Sequence, residues 1–426
     1  MRRLLTALLL SLCAAFPAAA RAPLDDAATA YVKLVLGVGE HEDGYVDAYY
    51  GPADIREAVK ASKSSLPALA AEADRLTAVV EAVNPKTLTD IEKKRRAFLA
   101  AQIKAVKFRI GMINGAKPSF AEEAQALFGV NPPLKPLSAY DPLLARIEAV
   151  VPGDGPLADR VDAFKMRYAI PKDRLEPVMR AAIAECRART AAHIRLPAEE
   201  SFVLEFVTDK SWSGYNWYQG KAHSLIQVNT DLPIFIDRAV DLGCHEGYPG
   251  HHTHNALLED RLVRERGWVE FSVYPLFSPL SLIAEGEGNY GIDLAFPGEQ
   301  RTAFEAKTLY PLAGLDPKTA AAYGTLREAL SGLGGARLTI TADLLNGKID
   351  RETAIGLMQK YQLVSRARAE QSIRFSEGYR SYVLNYVTGQ EMVKAKVERA
   401  GSDPAARWKA MEAILSEPTL PSDLLD

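Results

Sequence analysis

Cysteine is scarce and charge is nearly balanced in this sequence of 426 residues. It has three cysteines, one of them near the start of the chain, which is too few for a disulfide framework. The formal net charge is −3, so composition gives no basic surface for nucleic acid or for an anionic membrane. We therefore predict no nucleic-acid partner. For Cys186 and Cys244 we predict buried thiols, with a disulfide between them as the alternative.

Long apolar runs are also missing beyond the first residues. Arg2 and Arg3 precede an apolar run at 4–15, and small residues follow at 18–22. This order predicts a cleaved signal peptide at 1–22 and an exported protein, periplasmic or secreted. The run is too short to span a bilayer. We therefore expect no integral membrane segment after cleavage.

Most of the remaining chain has helical periodicity, because apolar residues recur every three or four positions, as in 175–194. Alternation typical of strands is confined to segments such as 201–208 and 223–230. We predict a mainly α fold with a small β-sheet near the histidine-rich segment. Breaks rich in proline and glycine divide it into an N-terminal helical region, 23–150, and a helical body, 151–426.

Histidine is rare but concentrated. The chain has seven histidines, and four of them lie within ten residues of the stretch GCHEGYPGHHTHN. The zinc-binding pattern H-E-x-x-H places two ligands four residues apart on one helix face, but here Pro249 occupies the second position. In an unbroken helix, His251 would be turned about 120° from His245 and lie about 9 Å along the axis. His252 would lie on the same helix face as His245, but about 10.5 Å further along the axis.

The Pro–Gly pair offers a solution to this spacing. Pro249 clashes with the carbonyl of the residue four before it, and the residue before a proline avoids the α region. Gly250 can adopt conformations closed to other residues. We therefore predict a distortion at 248–250 that returns His251 toward His245, with His252 as the alternative second ligand.

A third ligand is needed, because catalytic zinc sites use three protein ligands and one open position. The apolar segment SPLSLIAEGEGNYGIDLAF, 278–296, contains Glu285 and Glu287, and a buried acid needs a partner. We predict Glu285 as the ligand, with Glu287 as the alternative. Asn289 shares its helix face and is predicted to orient a ligand. Imidazole and carboxylate donors favour one zinc ion, although manganese and cobalt remain alternatives.

Several motifs resemble the bacterial domain-of-unknown-function family 885, whose members look like metallopeptidases of the gluzincin type. The resemblance covers about 210–390 and is carried by five motifs, HEGYPGHH, AEGEGNY, GYNWYQG, IQVN and RFSEGYRSYVLNYVTG. It implies a large helical zinc-peptidase-like architecture. It also implies His245, His251 and Glu285 as metal ligands and Glu246 as the acid/base.

These roles predict hydrolysis of a peptide or another small amide. Zinc lowers the pKa of bound water to about 7, and Glu246 would take its proton during attack on a carbonyl. Tyr386 or Arg374 is predicted to donate a hydrogen bond to the developing oxyanion, although a core tyrosine is nearly as plausible for Tyr386.

Substrate contacts are predicted less sharply. Asn229 is a candidate for holding a substrate backbone by strand addition, although a turn role is the favoured interpretation. Tyr218 either lines an apolar pocket or packs in the core. If His252 is not a ligand, we expect it to flank the site. Alternative functions are a non-catalytic metal- or peptide-binding protein on the same fold, and a metal hydrolase that acts on non-peptide amides.

Overall fold

The computed structural model describes residues 23–425, so the predicted signal peptide lies outside the described residues. The predicted mainly α fold is confirmed. Its helices are α1 (Pro23–Gly39), α2 (Ala53–Ser62), α3 (Leu66–Ala82), α4 (Asp90–Ile113), α5 (Phe120–Phe128), α6 (Asp141–Val150), α7 (Leu157–Met166), α8 (Leu175–Ala191), α9 (Ile236–Leu242), α10 (His251–Leu258), α11 (Pro279–Ala295), α12 (Gln300–Phe304), α13 (Tyr310–Ala313), α14 (Ala320–Ser331), α15 (Gly334–Leu345), α16 (Arg351–Gln362), α17 (Arg366–Tyr379), α18 (Gln390–Glu398) and α19 (Pro404–Ser416). Within 23–425, no helix has both the length and the apolarity needed to cross a bilayer.

Two small sheets accompany the helices. The strands are β1 (Val46–Tyr49), β2 (Ser201–Val207), β3 (Gly214–Gly220), β4 (His223–Asn229) and β5 (Val273–Pro275). β4 lies in the middle of a three-stranded sheet, parallel to β2 and antiparallel to β3, and β1 pairs antiparallel with β5. The two strands predicted from alternation are thus confirmed, and the aromatic segment between them supplies β3.

The hydrophobic core is continuous across the predicted regions. Val32 and Leu99, from the N-terminal region, belong to the same buried cluster as Ile183 and Leu282 from the body. A second cluster joins α6 and α7 to α14–α17. Both clusters therefore include residues from before and after position 150, and that boundary stays a prediction about sequence organisation.

Cys186 and Cys244 form a disulfide, with their Cα atoms 5.3 Å apart. This corrects the prediction of buried free thiols. Composition alone could not decide the pairing, because it depends on α8 packing directly beside the chain that follows α9. The bond links α8 covalently to Cys244, the residue immediately before His245. It therefore restrains the backbone of the histidine-rich segment.

The predicted site lies at the centre of the molecule. The histidine-rich segment continues from α9, and α11 packs against it almost entirely buried. On its other side α11 contacts a π-helical turn, Asn385–Gly389, and α18. This arrangement brings the two sequence-distant parts of the predicted site together.

Candidate metal centre

The helix carrying His245 is interrupted as predicted. After α9 the chain forms a π-helical turn, Gly243–Gly247, and Tyr248 is extended. The Tyr248–Pro249 peptide is cis, and α10 begins at His251. A Cβ on Gly250 would lie 1.9 Å from the carbonyl oxygen of His245, so only glycine fits there. The predicted distortion at 248–250 is therefore confirmed.

This path brings His245, His251 and Glu285 together. Their candidate ligand atoms all lie within 4.8 Å of one another. His245 Nε2 is 3.1 Å from Glu285 Oε2, and His251 Nε2 is 3.8 Å from Glu285 Oε1. Two ligands on a tetrahedral zinc ion at about 2.05 Å are roughly 3.3 Å apart. The observed separations bracket that value.

Asn289 fixes the orientation of the His245 ring. Asn289 Nδ2 donates to the carbonyl oxygen of Tyr386 at 2.9 Å, which leaves Asn289 Oδ1 to accept from His245 Nδ1 at 3.0 Å. In the neutral imidazole, Nε2 then presents its lone pair to Glu285. Glu285 Oε2 is buried and makes no hydrogen bond. A zinc ion between His245 Nε2 and Glu285 Oε2 would take the place of the proton that the two groups otherwise share, so the residues present fit a zinc ion.

The electrostatics of the cluster also favour positive charge. Burial lowers the pKa of His245, but the adjacent Glu285 carboxylate and the charge of Glu246 together raise it to about 9. Burial and the nearby positive charge of His245 lower the pKa of His251 to about 3. Burial raises the pKa of Glu285, yet the two imidazoles bring it below its usual value. The carboxylates thus stabilise a positive charge next to His245.

Glu246 is buried beside the cluster, only 4% exposed. A Cβ on Gly214 would lie 2.7 Å from Glu246 Oε1, so the start of β3 approaches the carboxylate closely. Asn216 Nδ2 on the same strand donates to the backbone oxygen of Glu246 at 2.6 Å. Burial raises the pKa of Glu246 to about 7, against the opposing effect of His245. The carboxylate is therefore positioned by β3 and next to the cluster.

Three tyrosines form polar contacts or ring stacking around the cluster. Tyr382 donates its hydroxyl proton to Glu285 Oε1 at 2.6 Å. The Tyr386 ring stacks on the His245 ring, with centroids 6.3 Å apart and planes inclined by 25°. Tyr215 donates to Asp47 Oδ1 at 2.9 Å, and burial raises the pKa of Asp47 to about 7.

The cluster opens into a cavity of about 1580 Å³. Its lining includes the three candidate ligands, Glu246 and Tyr386. It also includes Arg337 and Phe375. A cavity of this size holds a ligand larger than a single amino acid.

Two other histidines of the stretch lie away from the cluster. His252 is 1% exposed, and its Nε2 donates to Glu200 Oε2 at 3.1 Å while Nδ1 faces Ser224 Oγ at 2.8 Å. It is thus neither at the ligand position nor beside the cavity, and both predictions for it are corrected. His254 Nδ1 lies 2.5 Å from Glu287 Oε1, with both side chains buried. Glu287 is therefore paired away from the cluster and does not supply the third ligand.

Three further residues do not take the site roles that were predicted for them, and two of these match the alternative given. Arg374 is exposed and lies outside the cavity lining, because its turn of α17 faces solvent. Asn229 is 4% exposed, and its amide donates to the carbonyl oxygens of Lys210 and Trp212, so it holds a loop. Tyr218 is 1% exposed and hydrogen-bonded to Glu259, so it packs in the core.

Some residues at the site were not found by sequence reasoning. Asp47 lies in a four-residue strand with no pattern that marks it. Tyr382 lies four residues before Tyr386 in the same motif, so helical spacing offered a signal for it. Arg337 is the single basic residue of α15 and lies between Ala336 and Leu338, which is also a visible signal.

Comparison with known proteins gives structural likenesses only. No family model and no curated protein matches the chain, so membership of family 885 stays a prediction. A predicted lipoprotein from Colwellia psychrerythraea is similar with a TM-score of 0.52 and 16% identity, covering 85% of this chain and 68% of that one. At that identity the likeness shows the fold alone.

Two other structures are more distant. A predicted lipoprotein of unknown function from Shewanella oneidensis has a TM-score of 0.41 and 15% identity, covering 93% of this chain and 82% of that one. An M32 carboxypeptidase from Deinococcus radiodurans R1 has a TM-score of 0.38 and 12% identity, covering 95% and 93%. TM-scores this low do not establish a shared fold.

Proposed function

We propose that this chain is an exported, zinc-dependent peptidase or a closely related amide hydrolase. The observation that carries the proposal is the meeting of His245, His251 and Glu285 on the wall of a large cavity, with Glu246 beside them. Two imidazoles and one carboxylate form a donor set typical of catalytic zinc, which keeps one position open. Export is proposed on the predicted signal peptide alone.

His245, His251 and Glu285 would hold the ion, and Asn289 and Tyr382 would orient these ligands. When bound, zinc lowers the pKa of a water molecule to about 7 and polarises a carbonyl group. The open side of the cluster faces the cavity, so a substrate carbonyl can reach it.

In this proposal, Glu246 is the general base. It takes a proton from the water that attacks the carbonyl carbon, and delivers it to the leaving nitrogen as the C–N bond breaks. The buried position of Glu246, beside His245, keeps the carboxylate within the reaction space. Metal binding alone does not require this residue, which favours an enzyme over a binding protein.

Tyr386 is proposed to donate a hydrogen bond to the carbonyl oxygen as it gains negative charge. Its ring lies against His245 and lines the cavity. Burial keeps the pKa of its phenol well above the usual value, so the hydroxyl retains its proton.

The test combines metal analysis with cleavage of a peptide library by the wild type, Glu246→Gln and a control, Glu265→Gln. Glu265 is exposed, so its substitution should leave both properties unchanged. We expect about one zinc per chain in all three proteins and a loss of about 100- to 10,000-fold in kcat for Glu246→Gln. Zinc without cleavage would support a binding protein instead. A wild type purified without chelator and lacking metal would contradict the proposal.

A further inference from the structure

Arg337 is an unpaired cation in the wall of the cavity. It lies in the first turn of α15, and its Nε is buried without a hydrogen-bond partner. Among the described residues, no carboxylate forms an ion pair with it and no oxygen accepts from its guanidinium. Its Cζ lies 5.3 Å from the Phe375 ring centroid and 6.0 Å from that of Tyr386. These rings contact the cation without neutralising it.

Arg95 and Arg301, two arginines with little exposed surface, are neutralised by acids. Arg95 Nε lies 2.5 Å from Glu270 Oε1. Arg301 Nε lies 2.8 Å from Glu305 Oε1. Arg337 differs from both, because it is half-buried with a buried Nε and has no acid beside it, and a partly desolvated charge without a partner is costly. Burial without a compensating acid lowers its pKa. A missing partner in the wall of a cavity indicates that an anionic ligand supplies it.

We infer that Arg337 binds a carboxylate of the substrate, and specifically the free C-terminal carboxylate of a peptide. This inference rests on the proposed function and names its substrate class. A guanidinium forms two parallel hydrogen bonds with a carboxylate, and the flanking rings hold its plane.

The distances limit where the cleaved bond lies. Arg337 Cζ is 6.0 Å from the Tyr386 ring centroid, which is 6.3 Å from the His245 ring centroid. The guanidinium is thus at most about 12 Å from the His245 ring. An extended residue spans about 3.3–3.6 Å. A peptide whose C-terminal carboxylate reaches Arg337 therefore has at most about three residues after the cleaved bond, which favours removal of short C-terminal pieces.

The test compares N-acetylated tripeptides as free acids and as C-terminal amides, on zinc-loaded enzyme. We expect the wild type to prefer the free acids by about 10- to 100-fold in kcat/KM, as one charge-assisted contact allows. Arg337→Gln should reduce this preference to less than about 3-fold without loss of zinc. Arg337→Lys keeps the positive charge and should retain part of the preference for free acids. The exposed Arg374→Gln should change nothing.

A third set of peptides, amides with a glutamate at the last position, separates the two sources of a carboxylate. Cleavage of these as fast as the free acids would assign Arg337 to acidic side chains and overturn the terminal assignment. Equal cleavage of acids and amides by the wild type would overturn the inference. So would a preference that survives in Arg337→Gln.

Binding separates this inference from the proposed function. Calorimetric titration of the same peptides into Glu246→Gln requires no turnover. If no Glu246-dependent cleavage occurs but free acids bind more tightly than amides through Arg337, the proposed function fails and the inference stands. If Glu246-dependent cleavage occurs but free acids bind no more tightly than amides, the proposed function stands and the inference fails. Absence of binding by either form counts against the inference.

Discussion

His251 and His252 are neighbours in the chain, but they lie in two regions of opposite character. His251 faces the cavity and has no hydrogen-bonded partner among the described residues, apart from the approach of Glu285. His252 lies on the packed side, where Ser224 and Glu200 satisfy both of its ring nitrogens. On one face of α10, both ring nitrogens of a histidine are hydrogen-bonded. On the other face, a histidine ring nitrogen is left able to bind a metal ion.

The difference shows how a metal site is distinguished from a histidine-rich core. Buried polar groups are normally hydrogen-bonded, and His252 on the packed face follows this rule. The cavity face departs from it, because Glu285 Oε2 has no hydrogen-bond partner although it is buried. The meeting of two imidazoles and a carboxylate on the wall of a cavity, rather than histidine density, identifies the candidate site.

The largest expected effect tests this comparison directly. His251→Gln should lower zinc affinity by more than about 100-fold, because loss of an orienting partner alone costs about 10- to 100-fold. His252→Gln should retain about one zinc per chain and instead lower the thermal midpoint. Metal content after dialysis measures the zinc retained by each variant, and competition with a chromophoric chelator measures its zinc affinity. Loss of zinc from His252→Gln with retention in His251→Gln would reverse our assignment of the faces.

Much of this site was predictable from the sequence because its parts have local signatures. Pro249 and Gly250 predicted the break in the helix, and acids within an apolar segment predicted the approach of α11. The preference for Glu285 over Glu287 stays a prediction, which the closeness of Glu285 to His245 and His251 supports. Helical period and strand alternation predicted the mainly α fold with a small sheet.

The features that the sequence did not predict depend on contacts between segments that are distant in the chain. Arg374 and Arg337 are both basic residues in helices, and only packing decides which of them faces the cavity. Asn229 was assigned to substrate, but its amide is used by a loop whose path the sequence does not specify. The disulfide likewise depends on how α8 packs, so its formation was not readable from two cysteines.

The second prediction concerns the break that separates the two faces. Gly250→Ala should destabilise the protein by about 3 kcal/mol or more, because the new Cβ would meet the His245 backbone at 1.9 Å. The matched control is Gly356→Ala, a helical site in α16 where a Cβ meets nothing within 4 Å. The control should gain about 0.5–1 kcal/mol. Urea unfolding measures the free energy of unfolding of both variants. Equal changes in the two would show that the helix break tolerates a side chain at position 250.

The smallest expected effect concerns the packed face and depends on pH. Burial raises the pKa of Glu200, but hydrogen bonds from His252, Tyr248 and Arg187 lower it to about 2. A lowered pKa contributes stability that is present above the unfolded value, about 4.3, and is lost as pH falls toward 2. Glu200→Gln should therefore cost about 1–3 kcal/mol at pH 7 and less at pH 3.5.

Glu199→Gln is the control for Glu200→Gln, because Glu199 is an exposed neighbour paired with Arg264. Its loss should leave stability unchanged at either pH, because an exposed ion pair contributes little. Urea unfolding of the three proteins at pH 7, 5 and 3.5 gives the comparison. If the gap between wild type and Glu200→Gln were constant across this range, the Glu200 carboxylate would not be stabilised by His252. The packed face would then be held by its apolar contacts, and the contrast with the cavity face would rest on geometry alone.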